Sequence, residues 1–63
     1  MVVVGMPGEQ VLNYYGEPEF RREIVFEGAP AQVWGIQVRP GRIEQVTIVR
    51  GKVVQIRGQS SPQ

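Results

Sequence analysis

One short helix followed only by strand is the arrangement that most constrains this chain. The helical stretch lies within Gly5-Met6-Pro7-Gly8-Glu9-Gln10-Val11-Leu12-Asn13-Tyr14-Tyr15-Gly16-Glu17-Pro18, and it is punctuated at both ends. Pro7 suits the first helical position, since its φ is already helical and its missing N–H would have no intrahelical partner there. Met6 is then the N-cap, and its side chain offers no acceptor for the orphan N–H groups. Glu9 faces the positive end of the helix dipole. Gly16 is expected to close the helix in the left-handed conformation, and Pro18 blocks its continuation. A helix over residues 7–15 is too short to persist alone and depends on packing. Val11, Leu12 and Tyr15 share one face, with Tyr14 at its border. Both tyrosines are expected at the core or its edge, with the hydroxyl reaching water.

Before the helix, the β-branched run Val2-Val3-Val4 reads as a short first strand. After it, Phe20, Ile24 and Phe26 fall on one parity of a strand over residues 19–27, and Gly28-Ala29-Pro30 reads as the turn that ends it. Residues 32–39 alternate more cleanly. Trp34, Ile36 and Val38 face one way, and Trp34 is the expected centre of the core. Gly35 weakens a strand interior and marks a bulge or a close backbone approach. Arg39-Pro40-Gly41-Arg42 has the residues of a type II turn. A strand over residues 42–50 places Val46 and Ile48 on one side and Ile43, Thr47 and Val49 on the other. Arg50-Gly51 then reads as a two-residue hairpin loop, although Arg enters φ > 0 less willingly than Asn. The last strand spans residues 52–57, and Gly58-Gln59-Ser60-Ser61-Pro62-Gln63 has nothing apolar to bury. Residues 1–58 thus form a single domain and 59–63 a flexible tail.

The final hairpin contains a conflict. With Arg50-Gly51 as the loop, Ile48 and Val53 share a face, which leaves Val49, Val54 and Ile56 on the reverse side. Two resolutions stand: a one-residue bulge at Gly51 changes the registry, or both faces of the hairpin are apolar and one small helix covers only one of them. The second resolution provides a contact surface for another chain. Ile43, Val49, Val54 and Ile56, with Arg39 and Arg42 beside them, are its candidate residues.

The 63 residues include no Cys and no His, so neither a disulfide nor a conventional zinc site can supplement so small a core. Association with itself or a partner is the remaining route. The same inventory argues against an enzyme. Thr47, Ser60 and Ser61 are the hydroxyl candidates, and only glutamates are available to activate them. Glu17 and Glu19 read as solvated loop carboxylates, and Gly5-Met6-Pro7-Gly8 lacks the spacing and the Lys-Ser/Thr of a phosphate loop. Catalytic residues, cofactor and metal are all expected to be absent, and nothing specific indicates a small ligand. Net charge is +1, from seven basic and six acidic residues, which is not a nucleic-acid footprint. The alternative to protein interaction is nonetheless a small RNA- or DNA-contacting module using Arg39, Arg42, Arg50 and Arg57 near strand ends. Arginines there also serve as ordinary edge protection. No stretch approaches the roughly 20 apolar residues of a membrane span. Met1-Val2-Val3-Val4 is too short for the apolar region of a signal peptide.

The pattern Gly5-Met6-x-x-x-Gln10-Val11-x-x-x-x-Gly16-x-Pro18 resembles the opening of the SmpA/OmlA (BamE-like) outer-membrane lipoprotein domain and of an uncharacterised periplasmic family. Trp34 matches the aromatic strand position of those families, and Ile48-Val49-Arg50-Gly51-Lys52-Val53-Val54-x-Ile56 their closing hairpin. Pro7 stands where they usually carry a Ser/Thr cap, and a lipid-attachment Cys is lacking. The resemblance implies an α+β fold, with one short helix packed on a three- or four-stranded antiparallel sheet. It also implies a protein-interaction or scaffold module without enzymatic activity, in the bacterial cell envelope. A protein partner or a homodimer is the expected assembly.

Overall fold

The computed structural model describes residues 1–60. Its elements run α1 (Gly8–Tyr15), β1 (Phe20–Phe26), β2 (Ala29–Arg39), β3 (Arg42–Val49) and β4 (Lys52–Ser60). The strands form one four-stranded antiparallel sheet in the order β1-β2-β3-β4, so the fold is α+β. Two-residue loops join consecutive strands, as the register pairs Phe26↔Ala29, Arg39↔Arg42 and Val49↔Lys52 require. β4 continues to Ser60, beyond the expected end at Arg57, and the remainder of the expected tail, 61–63, lies outside the described residues.

The helix starts one residue later than its sequence suggests. Pro7 is the N-cap rather than the first helical residue, with φ −62° and ψ 139°. No side chain caps the helix; instead the Gly8 N–H donates to the Gly51 carbonyl at 2.8 Å, so a neighbouring hairpin turn satisfies one orphan donor. At the other end the Gly16 N–H donates to the Leu12 carbonyl at 2.8 Å. Gly16 has φ 84° and ψ −162°, which is extended on the positive-φ side rather than left-handed helical, and open only to glycine.

Val2-Val3-Val4 is not a strand. The chain turns there, with the Met6 N–H donating to the Val3 carbonyl, and it then runs along the outer edge of β4. Gly5 donates to the Val53 carbonyl at 2.7 Å, and Val53 donates to the Met6 carbonyl at 2.9 Å. Val2 alone of the three valines is buried. Val3 and Val4 stay exposed, and the segment's backbone bonds go to Val3 and Val53 rather than to a fifth strand ladder.

One buried cluster contains Val2, Val11, Trp34, Ile36, Val46, Ile48 and Val53, with Met6, Leu12, Tyr15, Val38 and Ile56 packed against it. Trp34 is 7% exposed and donates its indole N–H to the Gln32 side-chain oxygen at 2.8 Å. Ile36, Val11, Val46 and Val53 are the largest fully buried side chains. Tyr14 is 75% exposed, outside the core-edge position expected for it, whereas Tyr15 is half-buried. The Tyr15 phenol titrates above its ordinary value because burial disfavours the phenolate, with smaller contributions from Tyr14 and Glu44.

Candidate functional site

The register assigns each strand's side chains to a face. In β2 and β3, Trp34 opposes Val46 and Gln32 opposes Ile48, so these residues share the side of the sheet that carries Val11. In β1 the apolar set turns the other way. Phe20 opposes Gly35, Arg22 opposes Val33 and Ile24 opposes Ala31, while Arg21 opposes Trp34 and Glu23 opposes Gln32. Phe20, Ile24 and Phe26 therefore lie on the reverse face, and the β1 residues on the helix side are Arg21, Glu23 and Val25.

A bulge settles the conflict in the last hairpin. Thr47 pairs with Gln55 and Ile48 with Val53, which leaves Val54 as an extra residue in β4. The loop stays at Arg50-Gly51, so the bulge lies three residues beyond the position expected at Gly51. Ile56 consequently opposes Val46 and packs against the helix-side core. This corrects the expectation that Ile56 belongs to the reverse face.

A second apolar face is nonetheless present, built mainly by β1 and β2 rather than by β4. Its floor is Ala31, Val33, Gly35 and Thr47, all buried although neither the helix nor any other described element lies over them. Their cover comes from longer side chains leaning in from both sides. The Phe20 ring lies directly on Gly35, and a Cβ there would overlap Phe20 Cε2. A shallow groove of about 360 Å³ runs between Ile24 and Phe26 on one bank and Gln45, Gln55 and Arg57 on the other, with Val33 and Thr47 beneath. Arg22 stacks over the Phe20 ring at 5.3 Å from its centroid. The surface thus has an apolar bank and a polar bank.

The sequence-derived contact residues do not form one patch. Alternation along β3 places Ile43 and Val49 on the reverse face, half-buried. Val54 is the bulge residue and Ile56 is on the helix side. Arg39 and Arg42 border a recess with Tyr14, Tyr15, Val38 and Glu44 near the end of the helix, and Arg42 pairs with Glu44 at 3.8 Å. Sequence reasoning did not select Phe20, Ile24, Phe26 or Val33 for the contact face. The period-2 pattern of residues 20–26 identifies their shared parity, but only the loop length says which side of the sheet that parity meets.

The arginines are likewise dispersed. Arg50 lines a cleft of about 690 Å³ with Glu9, Glu23 and Trp34, between the helix start and the hairpin ends. Arg57 is on the reverse face, and Arg39 and Arg42 are at the opposite end of β3 from Arg50. Arg21 stacks over Trp34 at 5.2 Å and pairs with Glu17 at 3.2 Å. Among the described residues, no group of three or more potential metal ligands is gathered, and no buried side-chain nitrogen or oxygen lacks a hydrogen-bond partner. No described helix is long and apolar enough to cross a membrane. Comparison with protein families, with characterised proteins and with solved structures found no match.

Proposed function

We propose that this chain is a non-catalytic protein-interaction or scaffold domain, of the kind that the SmpA/OmlA resemblance suggests, with the bacterial cell envelope as its setting. In this reading the helix covers one face of the sheet and the reverse face meets a protein. The observation that supports it is the second apolar layer of Phe20, Ile24, Phe26, Ala31 and Val33, which forms on the side away from Val11. A small monomer gains little by directing two aromatic rings and a β-branched bank away from its core. Against a partner the same atoms contribute roughly 25 cal/mol for each Å² removed from water. The polar bank of Gln45, Gln55 and Arg57 then serves as a hydrogen-bonding rim.

The test is site-specific photo-cross-linking in the cells that carry the protein. A photoreactive residue at Gln55 probes the reverse face, and one at Tyr14 probes the helix side. Protein adducts concentrated at position 55 are the expected result. Equal labelling at both positions, or none at 55, would remove the reverse face as the working surface.

A further inference from the structure

The outer edge of β1 is an unprotected run of strand backbone, and we propose that a second copy of this chain pairs with it. This deepens the interaction reading above and rests on it: the two reverse faces would merge into one apolar surface across an eight-stranded sheet.

The two edges of the sheet differ. On β4, the residue next to the closing pair Val49↔Lys52 is Val53, and its N–H and C=O point away from β3 to meet Met6 and Gly5. The bulge at Val54 follows immediately. That edge is occupied at its start and interrupted at Val54, and it resumes over residues 55–60. On β1, the residue next to the closing pair Phe26↔Ala29 is Val25, which by the same alternation directs its N–H and C=O outward, as Glu23 and Arg21 do in turn. No described segment lies against them. The β1–β2 register has no bulge over seven pairs, β1 contains neither Pro nor Lys, and Val25 is 75% exposed. The devices that usually blunt an edge strand are absent apart from three charges.

Those charges select the occupant and the register. A two-fold axis through Ile24, perpendicular to the sheet, keeps each face continuous between copies. It sets Ile24 against Ile24, Arg22 against Phe26, Glu23 against Val25 and Arg21 against Glu27, with no like charges opposed. Centring the axis on Glu23 opposes two carboxylates, and centring it on Arg22 opposes two guanidiniums, each unfavourable for a cross-strand pair. In the Ile24 register, Arg22 meets the partner's Phe26 ring as it already meets Phe20 within its own chain at 5.3 Å.

The experiment uses the absence of cysteine from the native chain. At the proposed dyad the two Ile24 positions form a non-hydrogen-bonded pair about 4.5 Å apart between Cα atoms, within disulfide reach. Two Arg22 positions would then be separated by about 13 Å along the strands and out of reach. Under mild oxidation the I24C chain should become a disulfide dimer and the R22C chain should not. Adding Val25→Pro removes only an outward N–H and should abolish the I24C dimer, while circular dichroism and Trp34 fluorescence report an intact fold. An I24C chain that stays monomeric, or an R22C chain that links as readily, overturns the proposal. If pairing fails while photo-adducts at Gln55 persist in the Val25→Pro chain, the proposal falls and the reverse-face reading survives.

Discussion

Two residues carry backbone conformations that their side chains disfavour. Glu27 and Arg50 have φ of 50° and 52°, each followed by a glycine at positive φ, so both hairpins use the primed turns that match strand twist. A non-glycine residue there costs roughly 1–2 kcal/mol, and Asn less. Glu27→Asn should therefore stabilise the protein by up to about 1 kcal/mol, raising Tm by roughly 4–8 °C per kcal/mol at this size. Thermal unfolding checks it, and an unchanged or lower Tm would show that the Glu27 side chain does more than occupy a turn. Gly35 makes the opposite case, since its missing Cβ is where the Phe20 ring sits. Gly35→Ala should cost roughly 1–3 kcal/mol by overpacking. In a Phe20→Ala background that cost should largely vanish, and a double-mutant cycle reads the difference. Trp34→Ala removes the largest core side chain and should cost about 3–5 kcal/mol, a sizeable fraction of the 5–15 kcal/mol typical of whole domains. Denaturant unfolding followed by circular dichroism measures it.

At the scale of elements, the sequence supplies turns and parities but not how the parities combine. Arg50-Gly51 and Pro40-Gly41 are legible because glycine admits positive φ and proline fixes φ, and the buried Trp34, Ile36 and Val46 follow from alternation. The turn after β1 is where legibility ends. A three-residue turn at Gly28-Ala29-Pro30 would set Ile24 opposite Trp34, giving one apolar face. The actual loop, Glu27-Gly28, sets Ile24 opposite Ala31 and sends the whole apolar set of β1 to the other side. Pro30 falls within β2 without penalty, because it opposes Val25 in a pair that needs no N–H from it and lies beyond the first β3 pairing at Gln32. The Val54 bulge has no glycine or proline to announce it, which is why Ile56 is misplaced by alternation alone. The helix offers a test of its own seat. The Tyr15 pKa is raised in the folded state, so its neutral form contributes stability that is complete below the ordinary tyrosine value near 10.0 and is lost as pH rises through the folded value. Tm should fall on alkaline titration above that range, and Tyr15→Phe should flatten the fall.

At the scale of the whole molecule, the main feature is a four-stranded sheet with apolar residues on both faces. A chain of 63 residues buries a modest fraction of its surface and has no disulfide in reserve. If copies pair through β1, folding and association are linked, and Tm should rise with chain concentration. Scanning calorimetry over a dilution series checks this, with Val25→Pro expected to remove the dependence. In the proposed reading the chemistry of the contact would come from Phe20, Ile24, Phe26 and Val33, which no short motif encodes.

The leading segment lying against Val53 has a larger meaning than shielding one residue. A ribbon that could accept strands on both sides would grow into a fibre, copy upon copy. In the proposed pairing the leading segment and the adjacent kink close the start of the second side, so any further strand would have to add beyond Val54. Gly5 and Met6 would thereby shorten the strip of backbone open to a further strand.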